Sequence, residues 1–205
     1  MNAKELKELL NDFFEEIFDK SDLAELKEKG DDALGYGFTN VNLSSKDLYE
    51  FYSDESKFNK YFIENEDVYL MNDAIEYMAK YVYYDVFNFC GCGLPDSMKE
   101  FICKCLNLFN RSNRFYRDGE EPKMFNTEQV QETFGFDIYN VELDENGSPG
   151  TQWMTMYFIM YQFDALGLSE HGTSITGAWL SKKGITVRRI LNEWIKIQDN
   201  EEDKS

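Results

Sequence analysis

With 205 residues, 42% of them hydrophobic and 16% aromatic, the chain has material for one large core or two small ones, which excludes an intrinsically disordered segment. Its 39 acidic against 21 basic residues leave a formal charge of -18, a mean field that repels phosphate backbones and disfavours a generic nucleic-acid binder. Three prolines, and no stretch rich in Ser, Gly or Pro, argue for one compact body over 1–205. Its natural subdivision is a helical part, 1–110, a second part, 127–196, and an acidic tail, 197–205.

The longest apolar-looking run, "WMTMYFIMYQF" at 153–163, falls short of the roughly 18 residues a membrane span needs, and the N-terminus is charged from Lys4. A cytoplasmic address follows as the expectation. There Cys90, Cys92, Cys103 and Cys105 stay reduced.

Taken in chain order, Leu6, Leu9, Leu10, Phe13 and Ile17 recur at steps of three and four and predict an amphipathic first helix with Glu and Lys outward. "DDALGYGFTNVNLSS" reads as loop with a short strand, and Ser44 or Ser45 caps the next helix, "SKDLYEFYSDESKFNKYFIEN". The strongest periodicity follows: Val68, Met71, Ile75, Met78, Val82, Val86 and Phe89 form one apolar stripe, with Gly91 as a left-handed C-terminal cap. Core packing accounts for this stripe more simply than a ligand box does. Pro95 and Asp96 then start a helix with Met98, Ile102, Cys105 and Phe109 on one side.

"RSNRFYRDGEEPKMFNT" reads as connector, "TEQVQETFGF" as a short helix and "FDIYNVELDENGSPG" as a strand ending in an Asn-Gly turn. Trp153, Met156, Tyr157, Met160, Phe163 and Leu166 define a helix from about Thr151 to Ala165 that is apolar nearly all round, and hence expected to be buried. Two short extended pieces around His171 and Gly172 come next. The closing helix packs through Val187, Ile190, Leu191 and Trp194.

The cysteine pairs do not make a zinc site, because one residue separates the thiols where structural zinc prefers two to four, and on a helix Cys103 and Cys105 point to different sides. His171 beside Glu170, near Ser174 and Thr176, is read as a polar hairpin available for partner contact. Neighbours in a hairpin face opposite ways, so these residues do not form a nucleophile, base and acid set. Gly35, Gly37, Gly91 and Gly93 fit no phosphate-cradling pattern. No catalytic residue, metal or cofactor is therefore expected, and the chain is read as a non-enzyme.

Leu166-Gly167-Leu168, the polar hairpin, "WLSKKG" and "ITVRRILNEW" resemble the last third of winged-helix transcription regulators, over roughly Trp153 to Trp194. The resemblance implies a mainly α (α+β) fold, a helical bundle with a C-terminal winged-helix-like β-hairpin unit. In that family the helix before the wing reads bases with Arg, Lys, Asn or Gln, whereas here it holds no Lys or Arg. "CGCGLPDS" and "DALGLSEHGTSITGAWLSKKG" also resemble uncharacterised phage and prophage proteins with a Cys-Gly-Cys-Gly-x-Pro turn and a Leu-Gly-Leu-x-Glu-His-Gly hairpin, which implies a mobile-element origin.

Two functional readings follow. The first is an accessory protein whose acidic surface binds a basic, nucleic-acid-handling host or defence protein by occupying its phosphate-binding surface, without membrane or direct nucleic-acid contact. The alternative is a winged-helix DNA-binding regulator whose Lys182, Lys183, Arg188 and Arg189 touch phosphates while the acidic half faces away.

Overall fold

Asn2 sets the start of the first helix, and from there the computed structural model describes residues 1–18, 23–24, 43–87, 98–109, 127–135, 145, 150–171 and 178–202. The loop and strand expected at 31–45, the cap at Gly91, the helix start at Pro95 and Asp96 and the strand at 136–150 lie largely or wholly outside these residues. The fold is mainly helical, with a short antiparallel hairpin near the C-terminus. The chain divides into two compact units, Met1–Leu94 with Arg189–Ser205, and Pro95–Arg188.

In the first unit α1 runs Ala3–Glu16 under a complete capping box: the Glu5 N–H donates to Asn2 Oδ1 at 3.0 Å, and the Asn2 N–H donates to Glu5 Oε2 at 2.8 Å. Its Leu6, Leu9, Leu10, Phe13 and Phe14 are buried. Helix α2, Ser45–Ser53, repeats the device with Ser44 and Asp47, so Ser44 is the cap and Ser45 the first helical residue. The single long helix expected after it does not form. Asp54 turns extended (φ -118°, ψ 99°) and its carboxylate accepts the N–H groups of Ser56 and Lys57, starting a separate α3, Glu55–Phe58. A short acidic side chain that satisfies the backbone locally competes with helix continuation.

A π-helical segment, Asn59–Glu64, leads to α4, Val68–Tyr81, which Asp67 caps and a second π-helical segment, Val82–Val86, prolongs. The expected stripe is buried from Ile75 through Met78 and Val82 to Val86, but Val68 at its head is 56% exposed. Aromatic contacts tie the unit together. Phe18 stacks on Tyr81 at 4.5 Å, Phe14 on Tyr52 at 4.8 Å, and Trp194 meets Tyr83 edge-on at 6.1 Å. Lys7 donates to the carbonyls of Phe51 (2.9 Å) and Tyr52 (2.8 Å), filling acceptors that the end of α2 leaves open.

In the second unit α5, Lys99–Asn107, packs on α6, Thr127–Phe134, which packs on α7, Thr151–Ala165. Met98, expected on the packed side of α5, is exposed, whereas Cys103 and Cys105 are both buried. Past α7, Gly167 adopts φ +69°, a conformation that favours glycine, and lets the Leu168 N–H return to the Phe163 carbonyl at 2.8 Å. Strands β1, Ser169–Glu170, and β2, Trp179–Leu180, pair antiparallel with Ser169 opposite Leu180 and Glu170 opposite Trp179.

Helix α8, Lys182–Glu202, begins at Ser181, whose hydroxyl donates to the Gly167 carbonyl (2.7 Å) and accepts the Gly184 N–H (3.0 Å). Gly184 lies so close to the Leu168 carbonyl that a side chain there would overlap it. Val187, Ile190, Leu191 and Trp194 are buried as their spacing predicts. No described helix is long and apolar enough to cross a membrane.

Candidate functional site

The expectation that α7 is buried on all sides is overturned. Met156, Met160 and Phe163 are buried, but Met154 (52%), Phe158 (63%) and Tyr161 (47%) are exposed. An apolar sequence all round the helix supplies two faces, one for the unit's own core and one for solvent. On the outward side Trp153 stacks on Tyr157 at 4.8 Å, and Tyr157 meets Tyr161 edge-on at 4.8 Å with the two hydroxyls 3.3 Å apart. The helix before the hairpin thus presents aromatic rings where a base-reading helix presents Arg or Lys.

In the first unit a second exposed apolar group lies where the π-helical segment turns into α4. Asn65 and Asp67 donate their N–H groups to the carbonyls of Lys60 and Tyr61, both at 3.2 Å, and Glu66 between them takes a left-handed φ of 49°. Phe62 anchors the segment inward, 5.0 Å from Phe51 and 4.9 Å from Phe58. Outward stand Ile63 (54%), Val68 (56%) and Tyr69 (86%), with Glu64 and Glu66 exposed and Asp67 half-buried between them in sequence. Three large apolar side chains displayed within seven residues are more than the scattered singles of an ordinary surface.

In the hairpin, Glu170 is exposed and accepts the indole N–H of Trp179 at 3.0 Å. His171 Nε2 lies 3.6 Å from Asp164 Oδ1, at the end of α7. Ser174 and Thr176 lie outside the described residues, so Glu170 and His171 are the placed members of this group, and they meet Trp179 and Asp164.

The four basic residues of the DNA-binding alternative occupy different surroundings. Arg188 donates to the Phe109 carbonyl at 2.9 Å, and burial lowers its affinity for the proton. Arg189 is held by Asp12 at 2.7 Å within the first unit. Each guanidinium thus already commits a donor to a neighbour within the fold. Lys182 is exposed and Lys183 half-buried, both in the first turn of α8, where the helix dipole favours anions over lysine side chains.

Burial pushes the Cys103 and Cys105 thiols up to about 12, which keeps them protonated and weakly nucleophilic. Among the described residues no group of three or more His, Cys, Asp and Glu is placed to hold a metal ion. Compared with known protein families, curated proteins and solved structures, the chain matches none of them.

The sequence reading missed both apolar surfaces. Helical spacing assigned Val68 to the core stripe, and composition assigned all of α7 to it. The one available signal was the acidic punctuation around Ile63, Val68 and Tyr69, since a core segment seldom carries three carboxylates in four residues.

Proposed function

We propose that this chain is a cytoplasmic accessory protein of a phage or mobile element that acts by binding a basic protein and performs no catalysis of its own. The observation that carries the reading is the turn at 63–69, where exposed Ile63, Val68 and Tyr69 are interleaved with Glu64, Glu66 and Asp67. Apolar side chains supply contact area, and the carboxylates select a cationic partner over an anionic one. A net charge of -18 extends that selection over distance by steering basic molecules toward the chain. Several cations of the first unit are already engaged internally, Lys7 by carbonyls, Arg189 by Asp12, Lys57 by Glu50 and Lys80 by Glu76, which leaves acid as the outward sign. A nucleic-acid-handling protein, whose phosphate-binding surface is basic, is the partner class that fits.

The test compares wild type with a variant carrying Glu64→Gln, Glu66→Gln and Tyr69→Ser as baits in host lysate. Wild type retains a basic protein at about 50 mM salt and releases it near 500 mM, where screening shortens the reach of charge, and the variant retains little. Equal retention by both baits, or no basic protein on either, overturns the reading. Binding of duplex DNA at micromolar protein, lost on removing Lys182 and Lys183, would favour the regulator instead.

A further inference from the structure

We infer that a second copy of this chain docks on the outward face of α7, forming a weak antiparallel dimer. This rests on observations independent of the turn at 63–69. Met154, Phe158 and Tyr161 stand at positions i, i+4 and i+7, the spacing of a helix–helix seam, and all three are exposed. Trp153 and Tyr157 flank them in a stacked pair, so the seam is rigid before anything binds.

Charge selects the occupant. From 151 to 163 the helix holds no acidic or basic residue; Asp164 is its first charge. A basic partner finds no carboxylate on this face to pair with. A lipid surface is met by interfacial helices bordered with Lys and Arg, and α7 has neither. Two copies carrying -18 each repel one another across most of their surface, and an uncharged seam is where that repulsion is least. An antiparallel, two-fold arrangement sets the two Asp164 side chains at opposite ends of a helix about 22 Å long, beyond the screening length of about 8 Å.

The available area sets the strength. Three side chains of roughly 200 Å² each, about half exposed, offer on the order of 300 Å² per copy, well under the roughly 800 Å² per partner of a stable interface. The dimer is therefore weak and reversible, dissociated at micromolar concentration and populated only as the concentration rises toward the millimolar range.

Sedimentation velocity of the full chain over that concentration range, at 50 and 500 mM sodium chloride, tests this. The dimer fraction rises with concentration and with salt, because salt relieves repulsion between like-charged copies; capture of a basic partner responds to salt in the opposite sense. Phe158→Glu and, separately, Tyr161→Ser leave the circular dichroism spectrum unchanged and shift the protein to monomer throughout. A chain that stays monomeric at both salts, a dimer that weakens as salt rises, or a dimer that persists in both variants overturns the inference.

Discussion

Gly184→Ala is the substitution whose outcome this fold fixes most sharply. In the interior of an exposed helix the change would stabilise by about 1 kcal/mol, since alanine is the better helix former. At Gly184 the added methyl would sit 1.9 Å from the Leu168 carbonyl oxygen, 2.9 Å from its carbon and 3.1 Å from Leu180 Cδ2. The oxygen is backbone and already accepts the Ser181 N–H at 3.0 Å, so it cannot swing away as a flexible side chain would. Overpacking costs about 1–3 kcal/mol and the lost hydrogen bond about 1 kcal/mol; against the propensity gain, the net loss is about 1–3 kcal/mol.

Urea unfolding followed by tryptophan fluorescence and circular dichroism measures it. Gly135→Ala is the internal comparison. Among the described residues no atom lies within 4 Å of a methyl there, so that variant bears the strain of its φ of +75°, about 1–2 kcal/mol. The reasoning fails if Gly184→Ala unfolds at the wild-type urea concentration or above it; Gly135→Ala shows what backbone strain alone costs.

Three further outcomes follow from contacts described above. Lys7→Met strands the Phe51 and Tyr52 carbonyls and lowers stability by about 1 kcal/mol, toward the low end because the amine is only partly shielded from water; no change in the urea midpoint would show those bonds to be incidental. Cys103 and Cys105 titrate in the folded chain near 12 against an ordinary 9.0, so they contribute stability that is full below pH 9 and lost as pH rises toward 12, at up to about 1.4 kcal/mol per pH unit for each thiol. Urea midpoints from pH 8 to pH 10.5 will fall less steeply in Cys103→Ala or Cys105→Ala than in wild type, and parallel slopes would refute this. Ser169→Ala removes a buried hydroxyl that has no hydrogen-bond partner among the described residues and raises stability by about 1 kcal/mol; a loss instead would reveal an acceptor for that hydroxyl.

Where side-chain spacing and capping chemistry act locally, the chain could be read directly. The face of α1, the Ser44 cap, the span Thr151–Ala165 and the buried side of α8 all rest on short-range rules that need no knowledge of neighbours. Asp54 breaks the helix after Ser53 because its carboxylate competes locally, an effect visible as Ser-Asp but overridden by the strong apolar period around it. Exposure is a different kind of fact. Phe158 and Met160 are equally apolar in sequence, yet one faces water and the other the core, and the difference depends on which elements α6 and β1 bring alongside. The partners of Arg188 and Arg189 were likewise hidden, since Phe109 and Asp12 lie 79 and 177 residues away along the chain.

The two π-helical segments bear on how this gene can change. In each, a backbone N–H reaches back five residues, Asn65 to Lys60 and Phe87 to Val82, so each turn holds one amino acid more than an α-turn requires. Losing a single codon inside 82–86 would restore ordinary winding without breaking the helix. It would also leave Phe87 bonded to the Val82 carbonyl, now four residues back, so the ring keeps the core it fills. Inside α4 the same loss would swing the following residues by about 100°, so single-codon deletions should be tolerated at 82–86 and selected against at 68–81.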